Sequence, residues 1–151
     1  MSQRRAGRSR ESGQVKLRRY APSDFRAVRR LWSSAGLRTG PSDTFREIER
    51  SRQRDPDLFL VAEARGTIVG AVLGRFDGRR GWVNHLAVAA PARSRGVGSL
   101  LMCELERRLR AKGCPKVNLH VMPANAGVRA FYAALGYSER DLLFLEKWVR
   151  R

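Results

Sequence analysis

The segment PARSRGVGSLL, Pro91 to Leu101, constrains the fold more tightly than any other stretch. The strand pattern WVNHLAV (Trp82 to Val88) precedes it. From Val97 onward, apolar residues recur at Leu100, Leu101, Leu105 and Leu109, which is helical spacing, and Gly113 closes the run. A strand must therefore pass into a helix through a turn with two glycines two residues apart, Gly96 and Gly98, with Arg93 and Arg95 just ahead. Glycine lets successive N–H groups point inward, and a helix N-terminus adds unpaired N–H groups and about half a positive charge. Such a junction can cradle a phosphate. An ordinary glycine-containing helix entry accounts for these residues about as well.

Two common cradles are excluded. A Walker A loop ends Gly-Lys-Ser/Thr, whereas Gly98 is followed by Ser99 and Leu100. A dinucleotide fingerprint needs a third glycine or alanine where Leu101 stands, and it follows a first strand rather than a fourth.

The other elements read as follows. VKLRRY (Val15 to Tyr20) alternates as a first strand. Pro22 and Asp24 open a helix whose stripe is Phe25, Val28, Leu31 and Trp32, and Gly36 ends it. Thr44 and Glu47 have capping-box spacing for a second helix reaching about Arg54. LFLVAEA and IVGAVLGRF form a hairpin about RGT, WVNHLAV is a fourth strand and KVNLHV a fifth. NAGVRAFYAALG is a short helix, and LLFLEKWV (Leu142 to Val149) is expected to close the fold as a strand. The order is β-α-α-β-β-β-α-β-α-β, an α/β fold with a mixed sheet, over residues 15–151. Residues 1–14 are expected to be a disordered basic tail.

Composition narrows the partners. The 151 residues carry a formal net charge of +17, with 31 basic side chains against 14 acidic ones. The tail places Arg4, Arg5, Arg8 and Arg10 against Glu11, so most of the excess belongs to the body. Such a surface favours polyanionic partners: a phosphorylated cofactor, nucleic acid or the ribosome. Cys103 and Cys114 make neither a disulfide framework nor a metal site, and no apolar run is long enough to span a bilayer. The expectation is a reduced, cytoplasmic protein without a metal.

The loop and the residues beyond it resemble the GCN5-related N-acetyltransferases, the GNAT superfamily. Its pyrophosphate loop, Arg/Gln-x-x-Gly-x-Gly/Ala, matches Arg93-Ser94-Arg95-Gly96-Val97-Gly98. Its downstream Asn, Tyr and Gly-Phe/Tyr match Asn125, Tyr132 and Gly136-Tyr137. LFLVAE, DGRRG, KGCPKV and FYAALGY are similar to the small, single-domain bacterial YpeA-like members. The resemblance implies acetyl-CoA as co-substrate and an amine acceptor, a small molecule or a protein or peptide. Leu86, Ala87 and Val88 would pair with the pantetheine arm, and Arg93, Ser94, Arg95, Gly96, Val97, Gly98 and Ser99 would hold the pyrophosphate. Asn125 would bond the pantetheine, and Tyr132 would bind beside it and protonate the leaving thiolate as general acid.

The acceptor's proton must pass to a base or a water chain. His120 stands where related N-terminal-alanine acetyltransferases carry a catalytic glutamate, so it is the first candidate, with Glu63 second. Trp82 and Asn84 share a parity with Leu86, and His85 has the other, so His85 is expected to point away from the site. Two other functions remain open: a nucleic-acid or ribosome-associated basic protein, and a CoA-binding sensor. The acceptor and the choice between monomer and homodimer are not legible.

Overall fold

The computed structural model describes residues 14–150, so the basic tail expected over residues 1–14 lies, apart from Gln14, outside the described residues. The chain divides into two compact units, one ending at His120 and one beginning at Val121. The first holds β1 (Lys16–Arg19), α1 (Phe25–Ser34), α2 (Phe45–Arg54), β2 (Phe59–Ala64), β3 (Thr67–Phe76), β4 (Gly81–Val88), α3 (Val97–Ala111) and β5 (Val117–Leu119). The second holds a 3-10 stretch, Pro123–Val128, and α4 (Arg129–Ala134).

The fold is of the expected mixed α/β class. The sheet order is β1-β2-β3-β4-β5, antiparallel except for the parallel pair β4–β5. Nine elements appear in the expected order. The tenth, the closing strand, does not form: residues 141–148 join no ladder. Leu142, Leu143 and Leu145 are 81%, 91% and 87% exposed, so both parities face solvent. Apolar alternation marks a segment that burial would favour, but a strand exists only where its N–H and C=O groups meet a partner edge. The segment therefore supplies no core packing in this structure.

Local chemistry explains the helix starts. Thr44 accepts a hydrogen bond from the Glu47 amide at 3.3 Å and opens α2. Ahead of α1, Pro22–Asp24 make a 3-10 turn, and the Asp24 carboxylate accepts from the Ala21 amide at 2.8 Å. Arg18 donates to both Asp24 oxygens at 2.7 and 3.0 Å and to Glu63 at 2.9 Å. The Arg18 guanidinium holds the Asp24 carboxyl below its ordinary pKa.

The sheet is covered on two faces. Val28, Leu31 and Trp32 of α1 and Ile48 of α2 pack with Phe59, Val61, Ala71 and Leu73. Residues of the other parity, Gly70 and Gly74, lie against Leu101 and Leu105 of α3. Each fully buried Leu or Val contributes about 1.5–3 kcal/mol. In α3 the buried set is Val97, Leu101, Met102, Leu105 and Leu109, whereas Leu100, expected on that face, is 49% exposed.

Candidate active site

The junction between β4 and α3 is open to an anion. Gly96 caps α3 at φ 78°, and Ser94 also has positive φ, 61°. No side chain caps the helix, and no acidic residue occupies its first turn. The first bond made there is Leu100 N–H to Gly96 C=O, so the amides of Val97, Gly98 and Ser99 precede the helix's own bonding. A Cβ placed on Gly96 would meet nothing within 4 Å. Glycine serves here through its positive φ, and the space beside it is free for a ligand. Ser94, Arg95 and Gly96 are exposed. These features fit a pyrophosphate. Arg93, expected to face the phosphates, donates from Nε to the Val88 carbonyl at 3.1 Å and ties the loop to the end of β4.

The preceding strand opens toward β5. The pair β4–β5 runs only through Gly81↔Val117, Trp82↔Asn118 and Val83↔Leu119. From Asn84 to Val88, β4 has no β5 partner, and Leu86, Ala87 and Val88 lie on that stretch. An extended ligand can bond such an edge.

A bulge in β4 overturns one expectation. Leu73 pairs with Asn84 and Ala71 with Ala87, so His85 and Leu86 together oppose the single residue Val72. His85 takes φ 52°, a conformation that costs a side-chain-bearing residue about 1–3 kcal/mol. The extra residue switches the faces. Val83 pairs with Gly74 on the α3 side, whereas Ala87, of the same parity, joins the α1 core. His85 therefore does not point away. It faces α1 with Trp82 and Asn84, while Leu86 takes the other parity. Its ring lies 4.7 Å from that of Trp32, and its Nε2 is 2.6 Å from Asp43 Oδ1.

Asp43 is itself fixed. Its Oδ2 accepts from the Gly40 amide at 2.8 Å, and its carbonyl accepts from Arg29 at 2.7 Å. It is 8% exposed, a buried carboxylate at the start of α2. Sequence reasoning missed both members of this pair. Bulges of this kind usually carry a glycine, and a histidine here leaves no mark in the pattern.

The other expected residues are placed as follows. His120, expected on the fifth strand, lies one residue beyond β5, exposed, with its ring 5.6 Å from that of Trp82. Glu63 accepts from Arg18 and is committed to that ion pair. Asn84 accepts from Arg75 at 3.1 Å. In the second unit, Asn125 forms a kink at φ −109° and its amide donates to the Met122 carbonyl at 2.8 Å. Tyr132 packs edge-on against Phe131 and Tyr137, and burial pushes its hydroxyl above the ordinary tyrosine pKa. A groove of about 450 Å³ between α1 and the start of α2 is lined by Phe25, Phe45, Arg26, Arg29 and Arg30, without a carboxylate.

Comparison with known proteins shows the family and the fold. The family model "Acetyltransferase (GNAT) family" matches residues 25–137. An acetyltransferase of Yersinia pestis is 41% identical over 133 residues, 88% of this chain and 94% of the relative. Ard1 from Thermoplasma volcanium superposes with TM-score 0.76 at 24% identity, covering 84% of each chain. Chaetomium thermophilum Naa20, solved with a bisubstrate analogue, gives TM-score 0.72 at 27% identity, covering 82% of this chain and 70% of its own. The chain belongs to the GNAT acetyltransferase family. Its enzyme class is that of an N-acetyltransferase. No helix among the described residues is long and apolar enough to cross a membrane.

Proposed function

We propose that the chain moves the acetyl group of acetyl-CoA to a primary amine of a small-molecule, peptide or protein acceptor. The observation that carries this reading is the run from the edge of β4 that β5 leaves unpaired, Asn84 to Val88, into the N-terminus of α3, which no side chain among the described residues caps. Leu86 to Val88 offer backbone groups to an extended arm, and the amides of Val97 to Ser99 offer donors to its phosphates. Arg95 adds positive charge, and Arg93 holds the strand end and loop together. Asn125, which matches the family's downstream motif, is assigned a hydrogen bond to the arm on that resemblance.

Bound acetyl-CoA supplies an activated thioester. Holding it in line with the amine lowers the barrier because positioning replaces a chance encounter. Tyr132 gives the departing thiolate its proton, and a raised pKa keeps that hydroxyl protonated at neutral pH. An imidazole takes the acceptor's proton: His120, against Trp82, or His85, against Asp43. The arginine-lined groove and the +17 charge favour neutral or acidic acceptors over strongly basic ones.

Calorimetry with acetyl-CoA, then thiol release across an amine and peptide panel, tests the reading. Binding with turnover is expected. Binding without turnover would favour a CoA sensor, and no binding would favour the nucleic-acid reading. Tyr132→Phe should lower kcat by about 100-fold or more with acetyl-CoA affinity unchanged. Full turnover in that variant would remove Tyr132 from the chemistry.

A further inference from the structure

We propose that His85 is the general base that deprotonates the acceptor amine, with Asp43 as its positioning residue. This rests on the acetyl-transfer reading and names the group that the reading leaves open. An ionised carboxylate can only accept, so the Nε2 facing Asp43 Oδ1 at 2.6 Å carries the hydrogen. The lone pair is then on Nδ1, the nitrogen Asp43 does not engage. Asp43 is well placed to fix that tautomer, because the Gly40 amide and Arg29 hold it from two other sides.

The position fits the task. His85 is the extra residue of the β4 bulge, next to the strand edge that starts the Leu86–Val88 run. Its side chain is 23% exposed, enough for contact with an acceptor but shielded by Trp32. His120 is exposed beyond the end of β5, and Glu63 is spent on Arg18.

The step balances. The ammonium gives one proton to Nδ1, and the freed lone pair forms the N–C bond as the C–S bond breaks. The thiolate takes a proton from Tyr132, and the second proton shed by the nitrogen restores the Tyr132 hydroxyl by way of solvent. The sum is ammonium plus thioester giving amide, thiol and one proton, which the imidazolium releases to water.

The alternative is a structural clamp holding Asp43 to the sheet. His85→Gln separates the two: the glutamine amide nitrogen reaches the place of Nε2 and can still donate to Asp43, but it cannot take a proton near neutrality. With the fastest amine of the panel, we expect His85→Gln to lose about 100-fold or more in kcat with acetyl-CoA affinity unchanged. His85→Gly, relieved of backbone strain, should lose as much and regain turnover with added imidazole. Near-wild-type turnover in His85→Gln, or loss confined to His120→Ala, would overturn the assignment. A second readout needs no acceptor. Nitrogen-15 NMR of labelled histidine should show His85 protonated on Nε2 and bare on Nδ1, with that preference weakened by Asp43→Asn. A proton on Nδ1 in the neutral wild-type ring would sink the proposal. Absence of wild-type turnover would instead count against acetyl transfer, with the NMR result still deciding His85's tautomer.

Discussion

Glu104 shows how single side chains in this arginine-rich chain work in pairs. Hydrogen bonds from Arg107, and then from Arg108, hold its carboxyl at about 2, against an ordinary 4.5. A depressed carboxyl pKa gives stability that is fully present above about 4.5 and is lost as pH falls toward 2. The group is near the surface, so solvent screening limits the effect to about 1 kcal/mol or less. Glu104→Gln should therefore melt slightly below wild type at pH 7, and the gap should close by about pH 2. Thermal melts across that range check it, and a gap independent of pH would refute it. His85 is the opposite case, one residue with consequences beyond its own contacts. Its type was plain in the sequence, but its direction depended on a bulge that no glycine announces.

The elements were largely legible. Thr44 and Glu47 mark the start of α2 as the capping rule requires, and Asp55 ends it. Of the stripe Phe25, Val28, Leu31 and Trp32, the last three are buried as their spacing indicates, and Phe25 is half-buried against the same core. How α3 sits on the sheet was not legible, because it depends on two close approaches. A Cβ on Gly74 would lie 2.4 Å from Leu105 Cδ1 and 3.1 Å from the Leu58 carbonyl. The leucine tip can swing aside, but the backbone oxygen cannot. Gly74→Ala should therefore cost about 1–3 kcal/mol. Urea denaturation would read this as a lower midpoint at similar slope, and an unchanged midpoint would show that β3 and α3 separate freely. The segment Leu142 to Val149 failed for a related reason: hydrophobicity signals a need for burial and does not name the partner edge.

For the whole molecule, charge and site make separable demands. A surface at +17 should bind single-stranded nucleic acid weakly and without sequence preference. Fluorescence anisotropy with an oligonucleotide should show that affinity falling by orders of magnitude between about 50 and 200 mM salt. Tight binding retained at the higher salt would put the nucleic-acid reading ahead. By itself, the sequence determined the fold class, the element order up to α4, the family and the glycine turn that opens α3. Each of these rests on local spacing, and local spacing is what backbone geometry reads. Tertiary structure alone decided that β4 bulges, that His85 turns to Asp43 rather than away, that Glu63 serves Arg18, and that the last apolar segment pairs with no strand. Those outcomes depend on contacts between residues far apart in the chain, and one inserted residue in a ladder reverses the faces that a period of two assigns.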